Sequence, residues 1–213
     1  MAKKAILFDL DGTLWDSSRE VAVSWGGVLA DHGIHITTAD VQSVMGQTIP
    51  EIAGLLFPDL DWEKRKEILA QCSAAEEAYL RAHGANPFPA LEQTLKLLSQ
   101  TYFLGIISNC QEGYIETFLD YYDLWPYITD TENAGRTGRP KGENIRLVME
   151  RNGLEEAIYV GDTQKDQEAA AFAGLPFVHA AYGFGKVEGA DYVLPALSGL
   201  PALAECVFPP AGE

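Results

Sequence analysis

Apolar residues occur along this chain in two alternating patterns, short continuous runs and longer stretches with the spacing of an amphipathic helix. The first run, residues 5–8, is apolar at successive positions, as in a strand that is covered on both faces. The runs predict strands at residues 4–8, 102–107, 157–161, 177–180 and 192–194. The longer stretches predict helices at residues 90–99, 114–121, 144–152 and 165–173. Because strands that alternate with helices form parallel sheets with right-handed crossovers, we expect an α/β fold with a doubly wound, Rossmann-like parallel sheet.

One long segment interrupts this alternation. Between the first strand and Pro87 the chain shows no convincing strand, but it shows helical spacing at residues 18–31, 38–45, 49–56 and 62–81. Crossover connections rarely need this length. We therefore expect a helical cap at residues 16–85, inserted after the first strand, and an α/β core at residues 1–15 and 86–213. The alternative is a helical decoration without a role at any site.

Residues at the starts of two of these helices have the pattern of helix caps. Ser17 and Glu20 have the spacing of a capping box for the first helix of the insert, and Asp61 is placed to cap the last. Both are expectations about local hydrogen bonds.

Polar residues follow three of the predicted strands. Asp9 and Asp11 follow the first strand, Ser108 and Asn109 the second, and Asp162 the third. In a parallel sheet, ligands bind beyond the carboxyl ends of the strands. The sequence therefore predicts that these three polar groups converge at one edge of the sheet.

The carboxylates of Asp9 and Asp11 stand two residues apart where a buried strand ends. Side chains alternate along an extended chain, so the two tend toward the same side. Adjacent anions at the mouth of a core are costly unless a cation or a shared proton relieves them. Carboxylate oxygens suit Mg²⁺, which makes a magnesium site one interpretation. A solvated turn is the other, because Asp-Gly pairs are common turn formers.

Charge and composition narrow the possible partners. The chain carries 31 acidic and 15 basic residues, a formal net charge of −16, which disfavours nucleic acid and acidic membranes as partners. A small anionic substrate would need a local cationic pocket. No apolar run approaches the ~20 residues of a membrane helix, and no signal-peptide pattern opens the chain. The three cysteines are widely spaced and indicate reduced thiols, so we expect a cytoplasmic protein.

Four motifs occur in a fixed order. They are residues 9–14 (DLDGTL), residues 106–109 (IISN), Lys141, and residues 161–166 (GDTQKD). Together they resemble the motifs of the haloacid dehalogenase superfamily, and the position of the insert is similar to its first cap class. Within the superfamily the chain resembles the phosphoglycolate phosphatase and β-phosphoglucomutase branch, as does its YGFG stretch at residues 182–185. At residues 139–142 the order Arg-Pro-Lys-Gly replaces the Lys-Pro order frequent in relatives, which bears on the path of this loop.

The resemblance implies an enzyme, a Mg²⁺-dependent phosphoric monoester hydrolase that acts on a small soluble phosphorylated metabolite. Asp9 is implied as the nucleophile that forms an aspartyl-phosphate intermediate. Asp11 is implied as the group that protonates the leaving alcohol and later takes a proton from water. The implied ligands of Mg²⁺ are Asp9, the backbone carbonyl of Asp11, and Asp162.

The remaining motif residues are implied to support the phosphate and the metal. Ser108 and Asn109 would donate hydrogen bonds to phosphate, and Lys141 would supply a fixed positive charge. Asp166, four residues after Asp162, would not bind the metal itself but would support the residues that do. Simple helix capping is the alternative for Ser108 and Asn109. Charge pairing with a helix N-terminus is the alternative for the two aspartates.

Other functions use much of the same residue set. A phosphomutase of the β-phosphoglucomutase type returns the phosphoryl group to its sugar and differs in how the cap excludes water. Dehalogenation of 2-halo acids needs no proton donor at Asp11, so the presence of this carboxylate argues against it. A non-catalytic phosphate-binding protein would not need the complete set of site residues.

Overall fold

A computed structural model describes residues 3–208. Within this range, the six strands of the main sheet are β1 (Lys4–Phe8), β4 (Phe103–Ser108), β5 (Asp130–Asn133), β6 (Glu156–Gly161), β7 (Phe177–Ala180) and β8 (Tyr192–Leu194). Neighbouring strands are all parallel, and they lie in the order β5-β4-β1-β6-β7-β8. The predicted doubly wound α/β fold is confirmed.

The sheet is covered on both faces by helices. Alternate residues of β1 belong to two separate buried clusters, Ile6 and Phe8 to one, Ala5 and Leu7 to the other. Because successive side chains of a strand point to opposite faces, the two clusters lie on opposite sides of the sheet. The helices that follow the insert are α5 (Leu91–Leu98), α6 (Tyr114–Tyr121), α7 (Ala134–Thr137), α8 (Lys141–Asn152), α9 (Gln164–Ala173) and α10 (Leu200–Val207).

The insert consists of four helices, which we call the cap helices: α1 (Ser18–Ala30), α2 (Thr38–Val44), α3 (Ile49–Leu56) and α4 (Trp62–His83). They enclose a third buried apolar cluster that includes Trp25, Phe57 and Ile68. The division into a core at residues 1–15 and 86–213 and a cap at residues 16–85 stays a prediction, and this separate cluster supports it.

The chain passes between these two parts through a short antiparallel ribbon. Its strands are β2 (Trp15–Asp16) and β3 (Asn86–Pro87), and they pair Trp15 with Pro87 and Asp16 with Asn86. Both connections to the cap helices therefore leave the sheet side by side.

Of the two predicted helix caps, one is confirmed and one is wrong. Asp61 accepts a hydrogen bond from the backbone N–H of Lys64 and caps α4. Ser17 stands at the start of α1 but makes no capping hydrogen bond, because its hydroxyl is directed to Asp11 instead. Among the described helices, none combines the length and apolar character that a membrane crossing requires.

Candidate active site

The predicted site residues meet because their strands are neighbours. β1 lies between β4 and β6, so the residues that leave these three strands emerge at one edge of the sheet. Asp9 continues directly from β1, and its backbone N–H donates to the carbonyl of Val160 in β6 at 2.8 Å. Asp9 and Asp162 are both fully buried. The strand order thus places their carboxylates side by side below the surface.

Three carboxylates form a compact cluster at this edge. Asp9, Asp162 and Asp166 each offer an oxygen within 4.8 Å of the others. Asp9 Oδ2 and Asp162 Oδ1 are buried, and neither has a hydrogen-bond partner among the described residues. Burial raises the pKa of both Asp9 and Asp162, and the charge of Asp166 raises each pKa further. Unsatisfied buried carboxylate oxygens are the donor set that a hard divalent cation uses, so these residues fit Mg²⁺.

Lys141 brings one positive charge into the cluster. It is the first residue of α8, and its Nζ lies 3.0 Å from Asp9 Oδ1 and 2.5 Å from Asp166 Oδ1. Burial lowers the pKa of Lys141, but the charges of Asp166 and Asp9 outweigh this effect and hold the pKa above its usual value. The Arg-Pro-Lys-Gly loop therefore delivers a charged ammonium group to Asp9 despite its unusual order.

Asp166 connects Lys141 to the start of α9. Its Oδ2 accepts hydrogen bonds from the backbone N–H of Thr163 at 2.9 Å and from the Thr163 hydroxyl at 2.6 Å. Its Oδ1 accepts from Lys141. With both oxygens engaged, Asp166 holds the lysine and the helix start in place.

The YGFG loop at residues 182–185 fixes Asp162. The backbone N–H groups of Phe184 and Gly185 donate to Asp162 Oδ2 at 2.8 and 3.4 Å. A Cβ atom at Gly183 would stand 2.3 Å from the Cβ of Asp162, and one at Gly12 would stand 2.2 Å from Asp162 Oδ2. Such distances are far shorter than any real contact, so glycine alone permits the two loops to close around this carboxylate.

Asp11 has a different environment from the cluster. Its Oδ1 accepts hydrogen bonds from Trp15 Nε1 at 2.9 Å, Ser17 Oγ at 2.6 Å and Tyr114 OH at 2.9 Å. Burial raises the pKa of Asp11, and the three hydrogen bonds oppose that rise. No motif in the sequence marks Trp15, Ser17 or Tyr114 as a site residue, and only the fold brings them to Asp11.

Ser108 and Asn109 are buried at the end of β4. The alternative that they cap the next helix is wrong, because α6 begins at Tyr114 and Gly113 occupies its cap position. Asn109 Nδ2 donates to the carbonyl of Gly46 in the insert at 2.9 Å. Asn109 Oδ1 is buried and has no hydrogen-bond partner among the described residues.

Two spaces adjoin these residues. A small space of about 50 Å³, which we call the inner cavity, is lined by Asp9, Asp11, Ser108, Asn109 and side chains of the cap helices. A wider space of about 940 Å³, the outer cleft, is lined by residues of α3, α4, α8 and α9 and includes Lys141. Lys165 Nζ and Glu51 Oε1, 2.5 Å apart, form an ion pair between α9 and α3. The inner cavity thus adjoins the carboxylates of Asp9 and Asp11, and the outer cleft is the larger opening beside it.

Comparisons with known proteins agree with the four motifs. The sequence model of the haloacid dehalogenase-like hydrolases matches residues 6–180. A phosphoglycolate phosphatase of Xanthomonas campestris pv. campestris (strain 8004) is 29% identical over 188 residues, which cover 85% of this chain and 84% of the relative. A phosphoglycolate phosphatase of Aquifex aeolicus (strain VF5) is 27% identical over 210 residues, covering 95% and 97%.

A solved structure gives the same result for the fold. The putative haloacid dehalogenase-like hydrolase from Bacteroides fragilis is 27% identical and superposes with a TM-score of 0.83, covering 93% of this chain and 99% of that one. The resemblance inferred from the motifs is thereby confirmed. The chain is an enzyme of the haloacid dehalogenase-like hydrolase family and belongs to its phosphoglycolate phosphatase-like branch.

Proposed function

We propose that this enzyme is a Mg²⁺-dependent phosphatase that hydrolyses a small phosphate monoester through an aspartyl-phosphate intermediate. The observation that carries this proposal is the environment of Asp9. This buried carboxylate lies 3.0 Å from the Lys141 ammonium group and beside Asp162, and each carboxylate keeps an oxygen without a partner among the described residues. The names of the relatives support phosphate ester chemistry and make 2-phosphoglycolate one substrate to test.

The reaction proceeds in two transfers. In the first, an oxygen of Asp9 attacks phosphorus, the bond from phosphorus to the ester oxygen breaks, and Asp11 gives its proton to the leaving alcohol. In the second, a water oxygen attacks phosphorus and Asp11 takes a proton from that water. The bond between Asp9 and phosphorus then breaks, and inorganic phosphate leaves with Asp9 ionised and Asp11 protonated again.

The hydrogen bonds of Asp11 indicate which of its oxygens carries the proton. The Trp15 indole N–H can only donate, and it donates to Oδ1 together with two hydroxyl groups. Oδ1 is therefore an acceptor, and Oδ2 is the atom that exchanges a proton with the leaving alcohol. Burial keeps the pKa of Asp11 above its usual value, which favours the protonated form that the first transfer requires.

The charges around Asp9 account for binding of the phosphoryl group. Asp9, Asp162 and the backbone carbonyl of Asp11 would hold Mg²⁺, which when bound offsets the negative charge of the transferring group and orients it. Lys141 contributes a fixed positive charge beside Asp9, and Asp166 positions that lysine. Ser108 and Asn109 lie at the strand end beside Asp9 and donate hydrogen bonds to the phosphate oxygens.

Release of inorganic phosphate tests the proposed function directly. We expect the purified enzyme to hydrolyse p-nitrophenyl phosphate and a panel of small phosphorylated metabolites when Mg²⁺ is present, and to lose this activity with EDTA. Phosphate bound but never released would show a non-catalytic binding protein. A phosphoryl group moved between positions of one sugar, with no net phosphate release, would show a phosphomutase.

Magnesium should also stabilise the folded protein. At about 100 times its dissociation constant, an ion that binds only the native state adds about 2.7 kcal/mol, which raises Tm by roughly 5–10 °C for a chain of this size. We expect Asp162→Asn to abolish most of this shift, because one of the three clustered carboxylates is lost. The control is Asp59→Asn, which changes an exposed aspartate of the insert. Equal Tm shifts in all three proteins, measured by calorimetry, would place the ion elsewhere.

Removing the Tyr114 hydroxyl should change the pH dependence of the reaction. Tyr114→Phe deletes a hydrogen bond to Asp11, and such bonds to charged groups are worth about 1.5–3 kcal/mol. Because this bond stabilises the ionised form of Asp11, its loss raises the pKa of that carboxyl. We expect the alkaline limb of kcat/KM against pH, where Asp11 loses its proton, to move to higher pH. Tyr121→Phe, an exposed tyrosine of the same helix, should leave the profile unchanged; an unmoved limb in Tyr114→Phe would argue against this role.

A further inference from the structure

The inner cavity is the space that a leaving group would occupy. The proposed nucleophile Asp9 and the proposed proton carrier Asp11 both line it, so the alcohol that departs from phosphorus must lie between them and the cap helices. Its volume of about 50 Å³ holds roughly three to five water-sized groups. The cavity therefore suits a small alcohol, and its lining decides which alcohol that is.

The cap side of this cavity contributes a buried carboxylate, Glu76 of α4. Only 4% of Glu76 is exposed. Its Oε2 accepts a hydrogen bond from Trp25 Nε1 at 2.5 Å, and its Oε1 accepts one from Gln111 Nε2 at 2.8 Å. Both donors approach from other elements, Trp25 from α1 and Gln111 from the loop after β4. Glu76 is thus held at the junction of the cap helices with the core, facing the motif residues.

The lining of the cavity offers acceptors and no positive charge. None of the described residues that line it is lysine, arginine or histidine. Lys141 is already paired with Asp9 and Asp166, and the basic residues Lys66, Arg139 and Lys165 line the outer cleft instead. A carboxylate on the leaving group would therefore face Glu76 without a cationic partner among the described lining residues, at a site where water screens the repulsion weakly.

A hydrogen-bond donor on the leaving group would be accommodated. An ionised carboxylate has about four acceptor positions, and Glu76 uses two of them on Trp25 and Gln111. Asn109 Oδ1, in the same lining, is a buried acceptor without a partner among the described residues. A hydroxyl or ammonium group can donate to these oxygens, whereas a carboxylate cannot.

We propose that Glu76 determines specificity by selecting a leaving group that carries a hydroxyl or ammonium donor and rejecting one that carries a carboxylate. This inference rests on the proposed phosphatase function. It predicts that 2-phosphoglycolate is a poor substrate, and that esters of the same size with a neutral hydroxyl or an ammonium group are better ones.

The test compares kcat/KM for three esters, 2-hydroxyethyl phosphate, O-phosphoethanolamine and 2-phosphoglycolate, with Mg²⁺ at pH 8. Burial raises the pKa of Glu76 to about 7, so this carboxyl is mainly ionised under these conditions. We expect the better of the first two esters to exceed 2-phosphoglycolate by about tenfold or more, because like charges in contact are strongly disfavoured. The better substrate of these two shows whether the site prefers a hydroxyl or an ammonium donor.

Glu76→Gln preserves the size of the side chain and removes its charge. We expect this variant to lower the ratio of kcat/KM for the better donor ester to kcat/KM for 2-phosphoglycolate by about tenfold. The matched control is Glu77→Gln, which removes the charge of the next residue on α4, where Glu77 pairs with Arg81 at the surface. The control should keep the wild-type ratio.

The possible outcomes separate the two proposals. A wild-type enzyme that prefers 2-phosphoglycolate, or hydrolyses all three esters equally, overturns the inference about Glu76 and leaves the phosphatase function standing. An unchanged ratio in a folded Glu76→Gln protein also overturns it. If this variant does not fold, the wild-type ratio alone decides. Failure to hydrolyse any ester, p-nitrophenyl phosphate included, overturns the phosphatase function itself.

Discussion

Asp9→Asn should abolish turnover, with kcat lowered by about 10⁴-fold or more, since removal of a covalent nucleophile leaves only binding and electrostatic effects. An amide cannot form the acyl phosphate on which the second transfer depends. Asparagine has the size of aspartate and keeps an oxygen that can accept from Lys141, whose Nζ lies 3.0 Å from Asp9 Oδ1. The measurement is phosphate release under saturating substrate and Mg²⁺.

The same substitution should not unfold the protein. In the absence of metal, Asp9 is one of three neighbouring buried carboxylates, and its pKa is raised because burial and the charge of Asp166 disfavour its ionised form. Removing that charge relieves the repulsion, so we expect the metal-free variant to have a Tm at least equal to that of wild type. Asp123→Asn, at an exposed position with φ of 55° that asparagine tolerates, is the control for an unrelated loss of charge. A near wild-type rate in a folded Asp9→Asn protein would show that another group attacks phosphorus.

The fold was predictable where hydrophobic burial decides the structure locally. β1 is apolar on both faces because it lies in the middle of the sheet, and the alternation of strands and helices along the chain indicates parallel pairing. The edge strand β5 was missed because its residues, Asp-Thr-Glu-Asn, have no apolar pattern. It pairs with β4 on one side, and Arg151 neutralises its Asp130 and Glu132 through contacts of 2.7 and 2.6 Å. That stabilisation comes from a residue about twenty positions away, which local sequence cannot show.

The motif residues were predictable as a group because each follows the end of a strand, and neighbouring strands bring their ends together. Their partners were not. Trp15 and Tyr114 have the hydrophobic character of core residues, and both are buried, yet each also directs a polar atom to Asp11. Ser17 has the spacing of a helix cap, but in the folded chain its hydroxyl donates a hydrogen bond to the partly buried carboxylate of Asp11.

The burial of Glu76 was also not predictable from the sequence. It is followed by Glu77 on a long helix, and nothing in the sequence separates the two glutamates. The structure buries the first and leaves the second paired with Arg81 at the surface, because the helix face that carries Glu76 packs toward α1 and the loop after β4. Burial of a single charged residue depends on how the cap helices lie against the core, and periodicity does not encode that arrangement.

Asp11→Asn should produce a loss of rate that depends on the leaving group. The amide oxygen can still accept from Trp15, Ser17 and Tyr114, so the hydrogen bonds that hold this side chain are retained, while its exchangeable acidic proton is gone. General acid catalysis of this kind contributes about 10²- to 10⁴-fold. We expect a loss of this size in kcat/KM for alkyl phosphates, whose alkoxide leaving groups need a proton, and a much smaller loss for p-nitrophenyl phosphate, whose phenolate does not.

The dependence on leaving group distinguishes proton donation from a merely structural role of Asp11. A distorted site would weaken phosphoryl transfer from every ester by a similar factor, because all esters share Asp9 and Lys141. Loss of a proton donor instead steepens the plot of log kcat/KM against the pKa of the leaving alcohol. Hydrolysis of the aspartyl-phosphate also uses Asp11, but that step follows departure of the alcohol and therefore affects kcat rather than kcat/KM. A series of aryl and alkyl phosphates that all lose rate equally in Asp11→Asn would argue against proton donation, and a steeper slope would assign proton donation to Asp11.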